Sequence, residues 1–239
     1  MKVDEARITS PDGAADPPLG ADDRVATALR GFGRLGILAI LLILSGNFLF
    51  SPLSAGLVLL WVWLSRTPWH ELGFVRPKSW LASLGVGIAL GCAFKLLMKA
   101  IVMPLLGADP INQAYHYLAG NTAALPGMIL AMIVVAGFGE ETVYRGWMFE
   151  RLRKLWGTAL WARTSTVLLT SVIFGLAHYP VQGLAGAEQA IISGLVFGTI
   201  FAVTHRIFMV MVAHAAFDLV ALAIIYWDVE TDVAHFIFK

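Results

Sequence analysis

Seven stretches of the 239-residue chain are apolar enough to read as helices in a bilayer, at approximately 33–50, 53–66, 81–104, 124–149, 162–179, 187–204 and 207–226. A membrane helix needs about 20 residues, with a range of about 17 to 25. The first two stretches are short and meet at "SPL", so they could form one long helix or a tight helical hairpin. Flanking charge decides between these. Arg24, Arg30 and Arg34 precede the first stretch, and Arg66, Arg76 and Lys78 follow the second. Cytoplasmic loops carry the Lys/Arg excess, and only two crossings put both clusters on that side. The pattern therefore predicts an all-α, polytopic membrane bundle of about seven transmembrane helices.

The remaining connections obey the same rule. The 105–123 loop has Asp109 and His116 but no Lys or Arg, and faces outside. Arg151, Arg153, Lys154 and Arg163 face in, the 180–188 stretch faces out, His205 and Arg206 face in, and the acidic "DVETD" faces out. This places the N-terminus in the cytoplasm and the C-terminus outside, in a multi-pass protein of the cell (plasma) membrane. Trp61, Trp63, Trp69, Trp80, Trp156, Trp161 and Trp227 fall near the predicted ends, where indole rings favour the interface.

Composition agrees. The chain is 58% hydrophobic and 14% charged, against roughly 25% charged in a soluble domain. No basic patch with interleaved aromatics points to nucleic acid. Cys92 is the single cysteine, so no intrachain disulfide can form. Residues 1–30, with "SPDGAADPPLGADD", are too polar to bury much apolar surface. They read as a disordered cytoplasmic tail, and Asp4 and Glu5 argue against a signal peptide. Residues 31–239 read as one transmembrane domain without internal repeats.

Against this background a few ionisable residues stand out, because such groups are costly inside a bilayer and mark functional sites by default. They are Lys95 and Lys99, then Glu140, Glu141 and Arg145, then His178, then His214 and Asp218. Glu141 and Arg145 are four apart and can pair on one helix face. That pair could be purely structural. Glu140 is rotated by about 100° from Glu141 and has Tyr144, not a cation, four residues on, so its partner must come from another helix. His178 alone reads as an interfacial residue, and His214 with Asp218 as a hydrogen bond within one helix. Together they can satisfy one another only by converging. At 1.5 Å per residue, Glu140, His214 and Asp218 lie roughly 15, 10 and 17 Å from the cytoplasmic ends of their helices, and His178 roughly 24 Å from its own. Lys99 can snorkel outward, while Lys95, one turn deeper, can counter a carboxylate. Both read as structural.

A carboxylate and an imidazole that converge on one water suit hydrolysis. Glutamate can serve as general base, and a second imidazole can hydrogen-bond a developing oxyanion. No serine or cysteine has a comparable setting. Ser171 and Ser193 are small residues of the kind that pack helices, and Cys92 is on a distant segment.

"EETVYR" (140–145) fits EExxxR, "FGLAH" (174–178) fits FxxxH, and "HAAFD" (214–218) fits Hxxx(N/D). In this order, on three of the last four apolar stretches, they resemble the CPBP family, also called Abi or type II CAAX protease-like proteins. "HELGFVRP" (70–77) resembles a stretch found upstream in that family, so the likeness covers roughly residues 70 to 226. The resemblance implies a helical intramembrane endopeptidase acting on a membrane-anchored peptide or protein. It implies that Glu140 and His178 activate water, that His214 and Asp218 form the oxyanion side, and that Glu141 and Arg145 complete and orient the site. Asp218 departs from the asparagine of the best-studied members. An ionised carboxylate would repel an oxyanion, so Asp218 is expected to be protonated or paired with His214 or Arg145. Glu140, His178 and His214 could instead bind a divalent metal such as zinc. The neighbouring Arg145 disfavours a dication, so no cofactor is favoured. Two other readings remain. One is a non-catalytic membrane scaffold, immunity or regulatory protein, which would have no need of Glu140. The other is a transporter with a carboxylate proton relay, which would show repeats.

Overall fold

In the computed structural model, residues 20–49 and 51–238 are described, and among them the fold is entirely helical. Eight helices follow in order: α1 (Ala21–Arg30), α2 (Arg34–Leu49), α3 (Ser51–Ser65), α4 (Trp80–Leu105), α5 (Thr122–Trp156), α6 (Leu160–Thr204), α7 (Ile207–Tyr226) and α8 (Glu230–Ala234). The fold is polytopic. Four helices, α4 to α7, are long and apolar enough to cross a membrane, or five if the bent pair Asp22–Arg30 and Arg34–Asn47 counts as one span.

The difference from seven has two physical sources. The stretches 162–179 and 187–204 are arms of one assigned helix, α6, which breaks at Gly183 (φ 64°, ψ −162°), a left-handed conformation that favours glycine. Unbroken, its 45 residues would reach about 68 Å, against a hydrocarbon core of about 30 Å. The arms fold back on each other. A Cβ on Gly194 would lie 2.9 Å from Ser171, and one on Gly175 would meet Ile191 and the Ala187 carbonyl. The 180–188 loop is thus a tight helical reversal. The second source is length. At 16 and 15 residues, α2 and α3 extend only about 24 and 22 Å. They pack together as a hairpin, with the Ser54 hydroxyl donating to the Ile43 carbonyl at 2.9 Å.

Residues 1–19 of the expected tail lie outside the described residues. Its last ten form α1 instead of disordered chain. Asp22 and Asp23 complement the dipole of its first turn, and Ala26 and Leu29 are buried. The Leu29 carbonyl accepts from Trp61 Nε1 at 3.1 Å, and the Arg30 carbonyl from Arg151 at 2.8 Å. Tertiary contacts supply what local composition lacked. Trp61 is accordingly a core residue, edge-on to Trp147, whereas Trp63, Trp80, Trp161 and Trp227 are exposed as an interfacial role requires.

The most extensive helix contact joins α4 to α7. Gly87 and Gly91 form a small-xxx-small edge of the kind that lets membrane helices approach closely. A Cβ on Gly91 would sit 2.1 Å from the Ala213 carbonyl. Between α3 and α4, Leu72 is fully buried and the Gly73 carbonyl accepts from Ile207 N at 3.0 Å. The "HELGF" stretch thus ties this link to the start of α7.

Candidate active site

Three helices supply the site. α5 carries Glu140, Glu141 and Arg145, the first arm of α6 carries His178, and α7 carries His214 and Asp218. α5 is not α-helical throughout: Ala131–Glu140 and Thr142–Trp147 are π-helical, a form often found at functional sites. At Gly137 a Cβ would lie 2.9 Å from Ala215 Cβ and 3.0 Å from the Met211 carbonyl. The missing side chain lets α5 lie against α7, which brings both glutamates to His214.

Glu141 is fully buried and Arg145 nearly so, at 1% exposure. Glu141 Oε1 accepts from Arg145 Nη1 at 2.7 Å and pairs with His214 Nδ1 at 2.7 Å. An ionised carboxylate can only accept, so Nδ1 carries the proton. His214 Nε2 then faces Asp218 Oδ2 at 3.6 Å and Glu140 Oε2 at 3.9 Å. His178 Nδ1 lies 2.8 Å from the Phe174 carbonyl. A carbonyl also only accepts, so Nδ1–H donates and Nε2 of the neutral ring keeps its lone pair.

Aromatic rings fix these groups. Phe174 stands edge-on to His178 with centroids 4.5 Å apart, and to His214 at 5.9 Å. The Arg145 guanidinium lies 5.0 Å from the Phe174 centroid and 5.9 Å from that of Phe197, which also flanks His214. Glu141 Oε2 and Arg145 Nη2 are buried without a hydrogen-bond partner among the described residues.

Glu140, His178, His214 and Asp218 line one cavity of about 200 Å³, together with Lys95 and Ser193. The side chain of Glu140 is 15% exposed and that of Asp218 27%. Glu141 and Arg145 do not line it; they stand behind His214. The larger depth computed for His178 does not keep it from the cavity. Asp218 pairs with His214, whereas Arg145 is engaged by Glu141. Glu140, His178 and His214 do not form a metal-holding group: among the described residues no three His, Cys, Asp or Glu side chains do. Ser171 packs against Gly194, and Ser193 Oγ donates to the Ala190 carbonyl at 3.1 Å.

Uncharged polar side chains also pair across the fold, and Gln189, Gln182 and Tyr115 line the cavity. Asn47 donates to Tyr144 Oη at 2.6 Å, Gln189 accepts from Lys95 at 2.9 Å, and Gln182 reaches Tyr115 at 3.4 Å. Amides inside apolar stretches were the available signal, since they too require partners in a bilayer.

Residues 122–220 match the family model described as type II CAAX prenyl endopeptidase Rce1-like. The match contains the EExxxR, FxxxH and Hxxx(N/D) stretches, and excludes "HELGFVRP" and α4. No curated protein matches the chain, and no solved structure does. Over residues 122–220 the protein therefore carries a domain of the type II CAAX prenyl endopeptidase Rce1-like family, a family of peptidases.

Proposed function

We propose that the protein is an intramembrane endopeptidase that hydrolyses a peptide bond in a membrane-associated peptide or protein. The observation that carries this reading is the convergence of Glu140, His178 and His214, from three helices, on one cavity. In the proposed reaction His178 Nε2 orients a water and Glu140 takes its proton. The water oxygen bonds to the scissile carbonyl carbon, whose oxygen becomes an oxyanion. Collapse of that intermediate breaks the C–N bond, and Glu140 returns the proton to the leaving nitrogen. Arg145 and Glu141 hold His214 against the site. Each step is assigned to these side chains.

The same reading counts α2, α3, α4, α5, both arms of α6, and α7 as seven crossings of the plasma membrane, with the N-terminus inside and the C-terminus outside. The absence of Lys and Arg from 105–123 and 180–188 supports it. The scaffold alternative has no use for a carboxylate in a membrane cavity.

Glu140→Gln tests the proposal. It keeps the size of the side chain and removes the base. A neutral amide costs less to bury than an ionised group, so the protein should fold normally and cleave nothing. Wild-type behaviour of Glu140→Gln would favour the scaffold.

A further inference from the structure

Lys95 comes from α4, outside the stretch matched by the family. Gly91, one turn earlier, lets α4 approach α7 so closely that a Cβ there would lie 2.9 Å from Phe217 N. The result is a lysine only 5% exposed. Its ammonium donates to Gln189 Oε1 at 2.9 Å and lies 4.8 Å from the centroid of the Phe217 ring. Lys99, the next lysine on α4, is paired with Glu230 at 3.4 Å. Lys95 has no carboxylate within 4.0 Å among the described residues.

An ammonium has three donors, and one acceptor is in place. The other cation of the region, Arg145, is spent on Glu141 and does not line the cavity. Lys95 does line it, with Glu140, His178 and Asp218. Peptide hydrolysis places negative charge on the carbonyl oxygen, and a carboxylate at 218 opposes that charge. Resting on the hydrolase reading above, we propose that Lys95 is a further catalytic residue, whose ammonium binds the oxyanion of the tetrahedral intermediate. Gln189 and the Phe217 ring hold the ammonium in place beforehand, so little reorganisation is needed when charge develops.

The test uses the full-length purified protein and, as probe, a membrane peptide that the wild type depletes from cells. Lys95→Met should lower kcat by about 10²- to 10³-fold, the usual loss for one oxyanion donor, with KM little changed. In an Asp218→Asn background, where an amide replaces the opposing charge, the same substitution should cost at least about tenfold less. If Lys95→Met does not accumulate, Lys95→Gln removes the charge while keeping polar atoms for Gln189. Wild-type kcat in Lys95→Met or Lys95→Gln would overturn the assignment. So would an equal loss in both backgrounds, which would make Lys95 structural. Glu140→Gln separates the two ideas: if it is inactive while Lys95→Met is normal, only the Lys95 assignment fails. If Glu140→Gln still cleaves, the hydrolase reading itself falls.

Discussion

At the residue scale the two adjacent glutamates differ in environment. Glu141 is sealed behind His214 and bound to Arg145, while Glu140 reaches the cavity. Arg145→Ala would leave Glu141 buried without its cation, at a cost of about 3–5 kcal/mol if the pair is fully buried. The expected outcome is less folded protein in the membrane, together with lower activity, checked by quantifying the membrane-extracted, monodisperse fraction. Normal accumulation with lost activity would limit Arg145 to a role in the site. A second expectation concerns metal. Arg145 sits next to the site and the candidate ligands are not arranged to hold an ion, so purified wild type should keep its full activity after exhaustive treatment with a strong chelator. Loss of cleavage that returns on adding zinc would contradict the Glu and His chemistry.

At the scale of elements, the site depends on close approaches that only glycine permits. Gly91→Leu would drive a side chain into the Ala213 carbonyl, where even Cβ would lie at 2.1 Å. Overpacking of this kind costs about 1–3 kcal/mol or more. Because α7 carries His214 and Asp218, it should reduce activity as well as the apparent Tm, measured by thermal unfolding in detergent. The sequence allowed the helices and their order to be read, because apolar stretches interrupted by charge are a strong signal. It did not disclose the π-helical form of α5 or the tight reversal at Gly183. Both arise from how helices pack, and an apolar run looks the same in either conformation. The catalytic candidates were legible one by one, since each violates the exclusion of charge from a bilayer. Lys95 reads from the sequence as a structural counter-charge, and its neighbours Gln189 and Phe217 come from two other helices, so its surroundings were not legible there. α1 was missed for a related reason: its burial depends on Trp61 and Arg151, distant in sequence.

For the whole molecule, the proposed topology of seven crossings can be tested separately. In a background with Cys92→Ser, a cysteine replacing Gln113 should react with a membrane-impermeant maleimide added outside intact cells. A cysteine replacing Thr158 should react only after permeabilisation. The reverse pattern would invert the orientation, and labelling of both from one side would remove a crossing between them. The cavity, its four catalytic candidates and the family match over residues 122–220 together support the proposal that this molecule cleaves membrane-bound polypeptides. The most direct measurement of that claim is quantitative mass spectrometry of membrane peptides from cells that express either the wild type or Glu140→Gln at equal levels. The account predicts at least one membrane peptide that is cut in wild-type cells and intact in Glu140→Gln cells. Identical peptide profiles in cells whose own phenotype depends on the wild-type protein would contradict it.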